Sequence, residues 1–194
     1  MIWRMIWAAA VLISFTDRDL QAQQAALQEW APAQPELAKL SDEVSCGGGS
    51  LRILKGMTGP VARTVGQQTR TAWGQSGVGI LEVKQFTINP DRPNPEQVLT
   101  DYLEFFKTRS PKFENTAVEA GLLGGKPALR IRMRGEGLLG LPGDQFGFIY
   151  AFIGPERATL VTGVGPAATV EDVESAALTF RLAEAANLPE KNIP

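Results

Sequence analysis

The chain has 194 residues, of which 44% are hydrophobic and 21% charged, and this suits one domain with its own core. The formal net charge of −2 gives no overall attraction to nucleic acid or to anionic membranes. Histidine is absent, which excludes histidine-dependent triads and zinc sites, and the single cysteine excludes an internal disulfide and a cysteine metal cluster.

The amino-terminal residues have the pattern of an export signal. Arg4 precedes an apolar run over Met5–Phe15, and Ala22 is a small residue suited to cleavage. This run is shorter than the ~20 residues that a membrane-spanning helix needs. We therefore expect residues 1–22 to be a signal peptide and the protein to be periplasmic or secreted. An uncleaved anchor is the alternative, and it would be the only membrane contact.

The next segment has no strong periodicity. Two prolines interrupt its helical stretches, and residues 46–50 read Cys-Gly-Gly-Gly-Ser, which is typical of a loop. We expect residues 23–50 to be a lead-in to a single domain over residues 51–194. Cys46 is predicted to be inert, with pairing to another chain as the alternative.

The first half of the domain predicts strands followed by a helix. Residues 51–55, 61–73 and 78–88 have strand composition, and the last two stretches are expected to form a hairpin. Asn94 is a suitable N-cap, a proline follows it, and apolar residues at helical spacing continue to Phe106.

The second half predicts four strands and a closing helix. Apolar residues alternate with arginines over residues 129–134, so one face of that strand is apolar and the other cationic. Residues 145–153 are apolar on both faces, which is typical of a central strand covered on both sides. Strands are also predicted over residues 113–123 and 157–164, and the closing helix over Val170–Leu182.

This order predicts an α+β domain with an antiparallel sheet of six to seven strands packed with two main helices. Because the central strand is apolar on both faces, helices should cover both sides of the sheet, or one face should carry a loop.

The pattern resembles the PsbP-like family, a fold shared by a photosystem II extrinsic subunit and the Ran-binding protein Mog. The resemblance covers about residues 51–182. It is carried by the helix Pro95–Lys107, the Gly-Gly-Lys-Pro-Ala-Leu-Arg hairpin Gly124–Arg130, the aromatic strand Phe146–Phe152, the strand Leu160–Gly163 and the final Leu178-Thr179-Phe180. It implies an α/β/α sandwich and binding or assembly roles, without a shared catalytic residue set.

The first candidate site is the arginine stripe, formed by Arg130, Arg132 and Arg134. Alternate residues of a strand lie ~6.6 Å apart on one face, and guanidinium groups suit carboxylate or phosphate. The functional hypothesis is an anion-binding or acidic-partner face. The alternative is a solvated face whose arginine stems pack on neighbours and whose heads pair with Glu82, Glu119 or Glu136.

The second candidate site is the leucine loop, which we define as Leu138, Leu139 and Leu141 within a glycine-rich connection. Exposed leucines would mark a partner or lipid contact. Alternatively, the loop folds back and buries them over a sheet edge.

The sequence therefore favours an exported, non-enzymatic binding or assembly accessory protein with a protein partner. The alternative is a periplasmic carrier of a small amphipathic or anionic ligand, held in an apolar pocket between sheet and helix that arginines rim. A hydrolase without a recognisable motif is the third hypothesis. No catalytic residue, metal, cofactor or nucleic-acid partner is predicted.

Overall fold

The computed structural model describes residues 27–66, 68–88, 95–154 and 156–183. The helices in these ranges are α1 (Gln34–Leu37), α2 (Pro95–Arg109) and α3 (Val170–Ala177), with a 3-10 turn at Leu138–Gly140. The strands are β1 (Glu29–Trp30), β2 (Leu40–Cys46), β3 (Gly49–Leu54), β4 (Thr58–Val65), β5 (Gln68–Gln75), β6 (Gly79–Thr87), β7 (Glu114–Asn115), β8 (Glu119–Leu123), β9 (Lys126–Glu136), β10 (Asp144–Ile153), β11 (Arg157–Gly165) and β12 (Arg181–Leu182).

Nine of the described strands form one sheet in the order β1-β8-β9-β10-β11-β6-β5-β4, with β7 also paired to β9. The prediction of six to seven strands was wrong in number, because the sheet has nine described strands. The prediction of an antiparallel sheet was wrong at one edge, because β1 pairs with β8 in parallel. The stretch 61–73 also contributes two strands, since it turns back after Val65 and pairs β4 with β5.

A smaller sheet, β12-β3-β2, packs on the same side as α3. The described part of the predicted lead-in thus belongs to the fold. The loop expected at residues 46–50 is only a two-residue turn at 47–48, because Cys46 ends β2 and Gly49 and Ser50 begin β3. Trp30 of β1 is 6% exposed, and its ring occupies the space where a Cβ at Gly121 would lie. The predicted signal peptide and the tail after residue 183 fall outside the described ranges.

Helix α3 ends at Ala177 instead of continuing to Leu182 as predicted. The Thr179 hydroxyl donates to the Ala176 carbonyl at 2.7 Å and accepts from the Arg52 amide at 2.8 Å, so the chain leaves the helix there. The next residues then pair with β3 as β12.

The large sheet has an apolar core on each face, which confirms that β10 is a central strand. On one face, α2 packs through Phe106 against Ile149 and Leu160. On the other face, α3 and the small sheet cover Phe148 and Trp73. Within the described residues, no helix is both long enough and apolar enough to span a lipid bilayer.

Candidate functional site

The arginine stripe lies on the α3 side of the sheet, and each of its side chains contacts a carboxylate. Arg130 donates through Nε to Glu119 at 3.1 Å, and its guanidinium lies 4.8 Å from the centre of the Trp30 ring. The guanidinium of Arg132 donates to Glu174 at 2.9 Å.

The other end of the stripe is also paired, since Arg134 donates through Nε to Asp144 at 3.2 Å. This guanidinium holds the pKa of the Asp144 carboxyl below its usual value. Tyr150 donates its hydroxyl to Glu174 at 2.7 Å, so the partner of Arg132 is itself held in place. The arginines are paired, as the solvated-face alternative expected, but Glu119 is the only predicted partner that they use, and Glu174 and Asp144 take the other two. An anion would have to compete with these carboxylates.

The leucine loop folds back on the sheet instead of projecting into solvent. Leu138 is 1% exposed, and both Leu139 and Leu141 are half-buried against the core under α2. Gly137, with φ of 71°, lets the chain enter the 3-10 turn that brings these side chains inward.

A groove of about 650 Å³ lies between α2, the 3-10 turn and the outer strands β4, β5 and β6. We call it the α2 groove. Its apolar part combines two aromatic side chains of α2 with two members of the leucine loop, and its polar part is cationic. The lining residues are Arg63, Val65, Gln68, Arg70, Glu82, Lys84, Phe105, Phe106, Arg109, Ser110, Gly137, Leu138, Leu139 and Gly140.

Three of the cations form a row across neighbouring strands. Arg63 of β4 is directly opposite Arg70 of β5, which is directly opposite Lys84 of β6. Directly opposed side chains have Cβ atoms ~5 Å apart, and like charges in such positions destabilise a sheet. We call these three residues the cationic row. A fourth cation, Arg109 of α2, lies 4.2 Å from the centre of the Phe105 ring.

One buried carboxylate partly neutralises this row. Glu82 is fully buried and pairs with Arg70 through one oxygen and with Lys84, at 2.8 Å, through the other. Tyr102 donates to the same carboxylate at 3.1 Å and lies 3.2 Å from the hydroxyl of Thr162. Burial, followed by the nearby Glu82 charge, raises the pKa of Tyr102 well above its usual value. The hydroxyl therefore stays protonated and remains a donor.

The two outer cations of the groove differ from the inner pair. Across the described residues, neither Arg63 nor Arg109 forms an ion pair, and both are exposed. The groove thus presents four cations, one carboxylate and a floor of aromatic and leucine side chains. This chemistry suits an anion that carries an apolar group.

The sequence prediction placed arginines around a pocket between sheet and helix, but the arginines it named lie on the other face. Arg63 and Arg70 belong to a stretch described only as strands of modest burial. Period-two spacing puts Arg63 on the same face as Val61 and Val65. This spacing is the sequence signal from which a cationic position on that face could have been predicted. The pairing of β4 with β5 and β6 could not be obtained from it. No group of three or more acidic or cysteine side chains converges for metal binding within the described ranges.

Comparisons with known proteins give a fold. No family model matches the chain, and no curated protein matches it. Among solved structures, cyanobacterial PsbP from Synechocystis is similar, with a TM-score of 0.53 and 14% identity, over 75% of this chain and 94% of that one. A Pseudomonas aeruginosa protein of unknown function, PA94, gives a TM-score of 0.44 at 10% identity over 75% of this chain and 98% of that one. A Bacteroides thetaiotaomicron protein gives 0.39 at 12% identity, over 73% and 47%. The likeness to the Synechocystis protein confirms the resemblance seen in the sequence, and the chain has a PsbP-like fold.

Proposed function

We propose that this chain is a non-enzymatic, exported binding protein that carries a small amphipathic anion in the α2 groove. The observation that supports the proposal is the combination of an apolar floor with cations that have no carboxylate of their own. Of the three hypotheses from the sequence, this is the carrier. An exposed leucine loop would have favoured the accessory-protein hypothesis, whereas Leu138 is buried, Leu139 is half-buried, and both line the groove.

The size of the groove fits such a ligand. Sites for small molecules usually have volumes of ~300–1,000 Å³ and combine apolar walls with a few placed polar groups. In this groove of about 650 Å³, Phe105, Phe106 and Leu139 would contact the apolar part of the ligand. Arg109 and Arg63 would pair with its carboxylate or phosphate, since neither has to release another carboxylate first.

The groove also argues for binding rather than bond-making. Its only lining carboxylate, among the described residues, is Glu82, and two cations and a phenol hold it. Both oxygens of this carboxylate are therefore already occupied by partners within the fold.

The test is calorimetric titration with dodecanoate, with dodecyl phosphate, and with the neutral dodecanol as the matched control ligand. We expect saturable binding of both anions that weakens as salt rises, and at least tenfold weaker binding of dodecanol, about 1.4 kcal/mol. Arg109→Gln should weaken dodecanoate binding by about three- to tenfold. Arg134→Gln removes an exposed arginine of the opposite face and should leave it unchanged.

Two results would reject the proposal. One is the absence of saturable binding of either anion at millimolar concentration. The other is equal binding of dodecanoate and dodecanol, or equal effects of the Arg109 and Arg134 substitutions, because the groove cations would then contribute nothing specific.

A further inference from the structure

Strand β4 is an open edge of the large sheet. It stands last in the strand order of the described residues, and all eight of its residues are exposed. An edge strand presents backbone N–H and C=O groups in a row, which is a template for another strand. Pro60 has no N–H, and the pairing with β5 is irregular between Thr58 and Val61. The regular part of the edge is therefore Val61–Val65.

The side chains of this edge have a definite pattern. Val61 is 67% exposed and Val65 is 60% exposed, which makes them two of the most exposed large apolar residues of the described chain. Arg63 lies between them on the same face, by the period-two alternation of a strand. This face therefore offers an apolar, a cationic and an apolar position in succession.

The cationic row ends at this edge. Arg63 is opposite Arg70 on one side only, and its other side faces no strand in the described structure. A strand added beside β4 would place one residue directly opposite Arg63 and extend the row. An acidic side chain there would give Arg63 a counter-charge and relieve the repulsion among like charges.

We propose that the β4 edge binds an extended peptide segment of a partner protein by strand addition, with an acidic residue opposite Arg63 and apolar residues opposite Val61 and Val65. The recognised pattern is apolar, any, acidic, any, apolar. Main-chain hydrogen bonds would hold the segment, and the three alternate side chains would select it. Arg63 also lines the α2 groove, so a groove anion and the acidic residue of the peptide would compete for this guanidinium, while the main-chain pairing and the positions of Val61 and Val65 belong to the edge alone.

Charge argues against a second copy of this chain as the occupant. Antiparallel pairing of two β4 edges around a two-fold axis would set a second cationic row beside the first on the same face. Up to six basic side chains would then share one patch with only two copies of Glu82. A helix cannot satisfy the edge either, because its own backbone groups are already paired within it.

The first experiment measures fluorescence polarisation of a labelled, end-capped peptide, Thr-Leu-Thr-Glu-Thr-Leu-Thr, against the matched peptide with Lys in place of Glu. We expect the Glu peptide to bind at least tenfold more tightly. Arg63→Glu should reverse the preference, since the Lys peptide then supplies the missing counter-charge. Val61 does not line the groove, and Val61→Thr should weaken binding of the Glu peptide several-fold.

A second measurement tests the strand geometry. N-methylation of one alternate set of peptide amides should abolish binding, and N-methylation of the other set should not, because only one set faces β4. Equal effects of the two sets, no saturable binding up to millimolar peptide, or no reversal by Arg63→Glu would each overturn the proposal. Dodecanoate binding is also measured on Val61→Thr, and it should be unchanged because Val61 does not line the α2 groove. Lost peptide binding with unchanged dodecanoate binding therefore separates the β4 edge from the groove.

Discussion

Replacing Glu82 by Gln should destabilise the protein more than any other single isosteric polar substitution around the α2 groove. The carboxylate is fully buried and meets three donors, from Arg70, Lys84 and Tyr102. A glutamine has the same shape but only one acceptor oxygen. Its amide N–H groups would face a cation or a phenol hydroxyl, which are donors themselves.

The magnitude follows from how much of each partner is buried. The side chain of Lys84 is 10% exposed, so its ammonium would remain largely buried without a counter-charge. Breaking such a buried pair by removing one partner costs ~3–5 kcal/mol. Arg70 is 41% exposed and would turn toward solvent at little cost. The ring of Tyr102, 4.5 Å from the Lys84 ammonium, retains part of the attraction. We therefore expect a loss of about 3 kcal/mol in the free energy of unfolding, at the lower end of that range.

The assay is urea unfolding at neutral pH, followed by tryptophan fluorescence. The double variant Glu82→Gln/Lys84→Met removes the buried ammonium as well and should recover at least about 1 kcal/mol relative to Glu82→Gln alone. An unfolding free energy of Glu82→Gln within about 0.5 kcal/mol of the parent would refute the reasoning. So would a double variant whose loss equals the sum of the two single losses. The double variant keeps the test decisive even where Glu82→Gln alone does not fold.

Three further expectations concern the other face and the predicted lead-in. Trp30→Ala should lower the unfolding free energy by ~3–5 kcal/mol, since it empties a filled core position; a loss below about 1 kcal/mol would restore that segment to a lead-in. Burial raises the pKa of the Cys46 thiol to about 12, so near pH 8 only ~1 in 10⁴ molecules carries its thiolate. An aromatic disulfide reagent should therefore label the folded protein at least a hundredfold more slowly than the urea-unfolded one, and equal rates would contradict this. Arg132→Gln leaves the carboxylate of Glu174 buried and should cost ~1–3 kcal/mol, with Arg134→Gln as the control that leaves the urea midpoint unchanged.

The raised pKa of the Cys46 thiol also determines how the stability of the protein changes with pH. The thiol ionises in the unfolded chain at its usual pKa of ~8.5 but in the folded chain only near 12. The unfolded state therefore loses its proton first, and stability falls as the pH rises from the unfolded value toward the folded one. Cys46→Ala should remove that part of the alkaline loss.

Local periodicity was enough for the centre of the fold. The alternation along β9 and the double apolar face of β10 follow from one strand at a time, and the structure pairs Ile131 with Ile149 as neighbours under α2. The helix α2 likewise begins at Pro95, as predicted, while its predicted cap, Asn94, lies outside the described residues. Each of these features depends on residues that are close in sequence, which is where patterns are informative.

The edges of the fold could not be predicted in the same way. The two residues of β1 are too few to show a period, and their place beside β8 depends on contact between Trp30 and Gly121, which are distant in sequence. The cationic row was hidden for the same reason, because its three members come from three strands. Register between strands is set by the whole sheet, and a single-strand pattern reports only one member of each row.

The contrast between the two faces of the sheet supports our proposal that the α2 side binds the ligand. On the α3 side, the arginine stripe has as many carboxylate partners as arginines, so its charges are balanced within the fold. On the α2 side, the described lining residues include four cations and one carboxylate, and Glu82 pairs with only two of those cations. Opposed like charges lower the stability of a sheet. Arg63 is the exposed end of the cationic row, so a neutral side chain at this position would remove part of the cost. The anion that we propose for the α2 groove would supply the counter-charge that Arg63 lacks within the described fold.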